Sequence, residues 1–428
     1  MKKFLLNIFL IIFSVNSLKA GITTVNLDTE INLSKEKINS QTQNKKIVVL
    51  TSKGGNAHME ACQALKNTLP NYELKIINPI HEYFKSITDG EDFYVSMIQN
   101  GWIRTWNFLI KYPVPIFFKS IGASIKKTIL KILEQEKPDM LISVIPILNL
   151  YASQAAQIYK IPFLVITLDA DLTLWLLEME KNQNKNFILT VETMTENIKK
   201  QLDKKNISDN AIREVGFHIR KDFETPKDLN AIRKEWNIPD NKKIIMLIRG
   251  GTGSIKLYKY VKELVKLKEN IHLLVCIGKN IKLKNMLDKI KNKGSVTFSV
   301  IPFTNKIPDL MAISDLLITQ PSPTVCNEAI FMKLPILIDL SGAYLFWEEK
   351  VVDWIKLRGY GKIFNHMNQL NKLVTKNLNK KEFIMNKTQP TMPDFKTEIN
   401  KIVDQMLNKN YVVTSINRKI GQFKRTLI

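Results

Sequence analysis

Short apolar runs of strand length, each closed by a loop and followed by a helical stretch, recur from residue 45 to about 367. This alternation limits the chain to an α/β fold with parallel sheets covered by helices on both faces. The runs lie at 47–50, 74–77, 140–145, 163–168 and 188–191, then at 244–248, 271–277, 295–301, 316–319 and 335–340. Helical periodicity is clearest from 57 to about 69 and from 258 to 267. A polar interruption at 216–226, ending in a Pro, divides the series into halves of similar size. The expected architecture is two Rossmann-like, doubly wound domains facing across a cleft, over 45–220 and 221–366. Residues 367–428 supply closing helices and a basic tail. In such sheets ligands bind outside the carboxyl ends of the strands, so the chemistry is sought in those loops.

The ends of the chain read differently. Lys2 and Lys3 precede an apolar stretch over 4–15, and a small residue, Ala20, follows at signal-cleavage distance. Residues 1–20 therefore read as a secretory signal peptide or a short membrane anchor. The run is shorter than the roughly 18–20 residues a spanning helix needs. Residues 21–44 are polar and read as a flexible spacer. An anchor places the chain at a membrane without fixing on which side.

Charge narrows the partners. Lys and Arg number 63 against 40 Asp and Glu, a net charge of +23. That favours a polyanionic partner: anionic lipid, nucleic acid or a phosphorylated substrate. No nucleic-acid module is recognisable, so nucleic acid is not an expected partner. Three scattered cysteines exclude a disulfide framework, and five histidines without metal-ligand spacing argue against zinc. Neither a metal nor a resident cofactor is expected.

Four loops or helices carry candidate chemistry. The first is Leu50-Thr51-Ser52-Lys53-Gly54-Gly55-Asn56-Ala57-His58, which leaves a strand and opens a helix. His58 at that helix start could take a proton from an attacking hydroxyl, although an ordinary strand–helix turn has the same appearance. The second is Arg249-Gly250-Gly251-Thr252-Gly253-Ser254. Free amides at a helix start bind phosphate, and a plain turn is the competing reading. In the third, Ser322 fits an N-cap, Pro323 fits the first helical position, and Thr324 and Glu328 share a helix face. A Glu so placed can accept from sugar hydroxyls or simply be solvated. The fourth spans 93–133, where Trp102, Trp106, Phe108, Phe117 and Phe118 are interleaved with lysines such as Lys111. Aromatic, Lys-rich amphipathic pieces suit a membrane interface, and they suit a core-facing helix pair equally.

Taken together, these stretches resemble the monogalactosyldiacylglycerol synthase and processive diacylglycerol glucosyltransferase family. These are GT-B glycosyltransferases, more distantly related to the MurG-type enzyme. The resemblance runs from about 47 to 361. It includes Gly55-Asn56-Ala57-His58, the aromatic segment 102–118, Lys137-Pro138-Asp139 with Ser143-Val144, and Val215-Gly216 with Ile219-Arg220. It continues through Val275-Cys276-Ile277-Gly278 and ends at Asn327-Glu328-Ala329 with Pro335. It implies transfer of a hexose from a UDP-sugar co-substrate to a membrane lipid acceptor, diacylglycerol. Mapped residue by residue, His58 becomes the acceptor-side base, and Asp169, with Leu168 aligning equally well, falls at the family's Thr-Asp pair after the fourth strand. Gly251, Thr252 and Gly253 face the donor phosphates, and Phe303 lies beside the nucleobase. Ser322, Thr324 and Glu328 hold diphosphate and ribose. Trp102, Trp106, Phe108, Lys111, Phe117 and Phe118 form the acceptor and membrane side, on an anionic surface.

The chain also departs from the family pattern. Ala57 stands at a loop glycine, which costs on the order of 1 kcal/mol where the backbone is left-handed. Ile145 stands at a histidine. Ser322-Pro323 replaces a glycine pair, and Trp347 and Val351 replace residues that touch donor hydroxyls. These changes support an alternative, a non-catalytic GT-B protein that binds lipid or a partner.

Overall fold

The computed structural model describes residues 45–52, 56–83, 96–97, 100–251, 253–290, 294–378 and 393–408. The N-terminal signal or anchor, the spacer, Gly54, Gly55, Thr252 and the basic tail lie outside the described residues. Two six-stranded parallel sheets organise the rest. The first contains β1 (Lys46–Leu50), β2 (Glu73–Ile77), β3 (Met140–Ser143), β4 (Phe163–Ile166), β5 (Phe187–Val191) and β6 (Ile212–Glu214), in the order β2-β1-β3-β4-β5-β6. The second contains β7 (Lys243–Ile248), β8 (Ile271–Gly278), β9 (Thr297–Pro302), β10 (Leu316–Thr319), β11 (Ile336–Asp339) and β12 (Gly361–Phe364), in the order β12-β11-β10-β7-β8-β9. Central strands such as β3, β4, β10 and β11 are buried along their whole length. This explains their unbroken apolar composition, because helices cover both faces of a parallel sheet.

The two-domain α/β architecture is as expected, and two strands escaped the apolar-run criterion. β6 and β12 are short edge strands carrying Arg213, Glu214 and Lys362, so no apolar run marks them. β3 and β4 are shorter than expected. The apolar residues beyond Ser143 and Ile166 instead bury the loops at the strand ends, with Val144, Ile145 and Leu168 inside the core.

Strand order reverses between β1 and β3 in the first sheet and between β7 and β10 in the second. Each reversal opens a crevice at the carboxyl ends of the strands. Helix α1 (Asn56–Thr68) follows β1. An aromatic hairpin of helices, α2 (Ile103–Lys111), α3 (Pro113–Ser120) and α4 (Gly122–Glu136), precedes β3, and α5 (Asn149–Ile158) follows it. In the second half, α6 (Lys256–Leu264) follows β7 and α7 (Pro323–Phe331) follows β10.

The chain then returns to its first half. Helix α8 (Phe395–Leu407) buries Phe395, Ile399, Ile402, Val403 and Met406 in the core of the first sheet. Tyr72 donates to Asp404 at 2.5 Å, and Lys45 donates to the Leu407 carbonyl at 3.1 Å. Gly216 is required beneath this returning segment: its φ is 71°, and a Cβ there would lie 2.1 Å from the Pro393 carbonyl oxygen.

Candidate functional site

His58 sits in the first turn of α1, at the reversal crevice of the first sheet. Its Nδ1 lies 2.7 Å from the carbonyl oxygen of Val144, just past β3. A carbonyl only accepts, so Nδ1 carries the hydrogen and Nε2 keeps its lone pair. Burial lowers the imidazole pKa below 6.5, against the Val144 bond that raises it, so the ring is neutral at pH 7. Neutral, oriented and not fully buried, it has the form of a general base. Ala57 lies within α1, and its backbone is not left-handed. The expected penalty for replacing glycine there does not arise.

Asp169 is tied to the same crevice through Trp175. The indole Nε1 donates to Asp169 Oδ2 at 2.8 Å, and the indole ring lies 6.5 Å from the His58 ring. Asn149 holds the main chain at that residue by donating to the Trp175 backbone carbonyl at 3.1 Å, and Ser143 in turn donates to Asn149 Oδ1 at 2.8 Å. Burial pushes the Asp169 carboxyl up to about 7, opposed by the indole hydrogen bond and helped by the charge of Asp171. Between Val144 and Asn149, Ile147 holds a φ of 75°. That conformation is rare for a β-branched residue and marks stored strain beside the crevice.

The donor-side loop after β7 packs backbone to backbone against the loop after β8. A Cβ at Gly253 would lie 1.8 Å from the Ile277 oxygen, and one at Gly278 would lie 2.2 Å from the Gly251 oxygen. Both glycines have positive φ, so no other residue fits this approach without strain. Asn280 ties the two loops by donating to the Gly253 carbonyl at 3.2 Å. Phe303 is 52% exposed beyond β9, with the Lys279 ammonium 5.0 Å from its ring centre. Ser322 caps α7 with extended backbone, but its side chain makes no cap bond, and Thr324 is half-buried in the first turn.

Glu328 is buried one turn further on, and it is engaged. Arg220, from the segment joining the two sheets, places Nε and Nη2 each 2.8 Å from Glu328 Oε1. Burial raises the Glu328 carboxyl to about 7. Arg220 opposes this and Glu60 adds to it.

Several cleft residues were not singled out from the sequence. Glu192, just after β5, accepts from the Asn327 amide of α7 at 3.3 and 3.4 Å, joining the two halves. Gln320, just after β10, donates to both oxygens of buried Glu348 at 3.1 and 3.2 Å. Burial raises Glu192 and Glu348 each to about 8, with Asp169 adding to both. Arg249, just after β7, donates to Asp339, the last residue of β11, at 2.9 Å. The signal available was one polar residue immediately after, or ending, an otherwise apolar run.

The aromatic segment divides by face. Trp102, Phe108, Tyr112 and Ile116 are exposed, as are Arg104, Lys111 and Lys119. Trp106 instead packs with Ile103, Leu345 and Trp347 between the two halves, and Phe117 and Phe118 pack against the first core. Helix α2 ends at Lys111 and Pro113 opens α3, so a single periodicity through the segment does not predict its outer face. Among the described residues no single helix is long and apolar enough to cross a membrane.

The family model described as monogalactosyldiacylglycerol (MGDG) synthase matches residues 58–215. The processive diacylglycerol beta-glucosyltransferase of Bacillus subtilis strain 168 is 24% identical over 311 residues, covering 69% of this chain and 77% of that protein. The protein of the same name from Bacillus licheniformis is 25% identical over 311 residues, with the same coverage. Among solved structures, Acinetobacter baumannii MurG has a TM-score of 0.58 at 14% identity, over 85% of this chain and all of that one. The family resemblance carried by the motifs therefore holds, and the fold is GT-B.

Proposed function

We propose that this chain, a glycosyltransferase related to the monogalactosyldiacylglycerol synthases and processive diacylglycerol glucosyltransferases, transfers a hexose from a UDP-sugar to a diacylglycerol-type lipid at an anionic membrane surface. The observation that carries the reading is His58: a neutral imidazole at the first reversal crevice, its proton fixed on Nδ1 and its basic nitrogen free. The acceptor hydroxyl gives its proton to Nε2 as its oxygen attacks the anomeric carbon. The bond from that carbon to the UDP oxygen breaks, and the diphosphate leaves with the electron pair. The first turn of α7 and the glycine loop after β7 hold the leaving charge with oriented amides. Pro323 contributes no amide hydrogen and the Cys326 N–H already donates to the Ser322 carbonyl, so Thr324 and Val325 supply those of α7. Phe303 offers a flat face for the base, and Glu328 offers a carboxylate for the ribose. The exposed aromatics and cations of α2 and α3 give the chain a surface suited to anionic lipid.

A second reading rests on the Arg220–Glu328 pair. Both guanidinium contacts fall on Glu328 Oε1 and commit that oxygen to a structural ion pair, as in a binding protein that has lost transfer. Titration of the full chain with UDP, UDP-glucose and UDP-galactose separates the two. Submillimolar binding that Glu328→Ala weakens about tenfold or more, the scale of one lost charge-assisted hydrogen bond, supports transfer. No binding of any of the three supports the non-catalytic protein.

A further inference from the structure

Helix α2 has two unlike faces. Outward, it carries Arg104, Phe108, Lys111 and then Tyr112, with the Phe108 and Tyr112 rings 5.4 Å apart. Inward, it grips a loop of the other half of the molecule. The Asn107 amide donates to the Tyr344 carbonyl at 2.8 Å and accepts from the Phe346 N–H at 3.2 Å. Both ends of one amide are thus used on one backbone turn, so its orientation is set. Around this pair, Ile103 and Leu345 are buried, with Trp106, Ala343 and Trp347 packed against them.

The gripped loop leads into the donor crevice. Two residues past Phe346, Glu348 receives both hydrogen bonds from Gln320. Gln320 in turn accepts from the Ser322 N–H at 2.7 Å, at the start of α7. A continuous series of packed and hydrogen-bonded groups therefore joins the outer face of α2 to the helix start proposed to hold diphosphate.

We infer that α2 couples membrane seating to donor binding, with Asn107 as the positioning residue that joins them. Resting on the function proposed above, the coupling works as follows. An anionic bilayer against Phe108, Tyr112 and their neighbouring cations holds α2 in place. Through Asn107, α2 then holds the 344–348 loop in its donor-competent position. Free of the membrane, α2 shifts more readily and the loop with it. By linkage, the bilayer raises nucleotide affinity, and nucleotide raises bilayer affinity by the same factor.

The test is titration of UDP into the full chain with and without vesicles containing phosphatidylglycerol, paired with vesicle sedimentation with and without UDP. For the natural chain, the two factors should agree and be about fivefold or more, the lower range of measured site-to-site coupling. Asn107→Ala should bind UDP and vesicles separately, with both factors falling to about one. Asn107→Asp keeps the acceptor for Phe346 but not the donor to Tyr344, and it should fall between. Equal factors in the natural chain and Asn107→Ala would overturn the inference, as would a factor of one in the natural chain. Failure to bind UDP or vesicles at all would instead overturn the functional reading beneath it. A variant that unfolds by circular dichroism is replaced by Asn107→Asp, for which an undiminished factor is likewise fatal.

Discussion

His58→Asn is expected to lower the transfer rate by about 10²–10⁴-fold, the usual worth of a positioned general base, while UDP affinity is unchanged. Asparagine keeps an N–H to point toward the Val144 carbonyl but has no basic nitrogen where Nε2 stood. The pH profile sharpens the test. A base must be unprotonated, so the rate falls as pH drops through its pKa. The His58 pKa lies below 6.5 because burial disfavours the imidazolium, which puts the acid limb of kcat/KM below pH 6.5. Asp169, raised to about 7, would put the limb higher. A limb below 6.5 that disappears in His58→Asn assigns the proton transfer to His58. A limb near 7 that survives in His58→Asn, and disappears in Asp169→Asn, moves the role to the carboxylate. Trp175 makes the second result possible, since its indole N–H holds Asp169 and its ring centre lies 6.5 Å from that of His58.

How much of this arrangement the sequence discloses depends on whether a feature is local. The central strands are apolar because both faces are covered, so their period and length can be read directly. His58, Gly253 and Ser322 follow strands, and strand-end loops are where a doubly wound sheet binds ligands. Contacts between the halves have no such signature. Arg220 and Glu328 are 108 positions apart, and Asn107 and Phe346 are 239 apart. No spacing rule connects them. Phe117 and Phe118 show the same limit at short range. Amphipathicity says that a face is apolar, and only the packed fold says whether protein covers it. Ala57 points the other way. It looked like a loss but continues a helix, whereas Ile145, at a histidine position of the family, fills the core and supplies no imidazole.

The other large effect expected is on stability. Asp339→Ala should lower the unfolding free energy by about 3–5 kcal/mol, the cost of removing one member of a buried ion pair. The Asp339 side chain is 0% exposed and lies between Arg249, 1% exposed at 2.9 Å, and Lys256, 16% exposed at 2.5 Å. Tyr260 and Ser341 also donate to it. Desolvation raises the Asp339 pKa, but Arg249, Lys256, Ser341 and Tyr260 together outweigh it and hold the carboxyl below its usual range. Removing the carboxylate strands a guanidinium that cannot lose its proton. Lys256, its pKa already lowered by burial, can escape by deprotonating. The sign with pH follows. A carboxylate whose folded pKa is depressed stabilises the fold above its unfolded value near 3.8, and that stability is lost as pH falls through the folded value. Asp339→Ala should therefore reduce the difference in stability between neutral and strongly acid solution. Urea unfolding at both pH values measures this, and Arg249→Met with Asp339→Leu is the control. An apolar pair of similar volume should recover most of the loss, because the deficit comes from an unpaired charge and not from a missing contact. A single-variant cost under about 1 kcal/mol would mean that water reaches Arg249, contrary to its burial. Because Arg249 also begins that loop, the unpaired charge should weaken UDP binding along with the fold. In the Met/Leu control both should return together, which ties the network to donor-loop geometry as well as to stability.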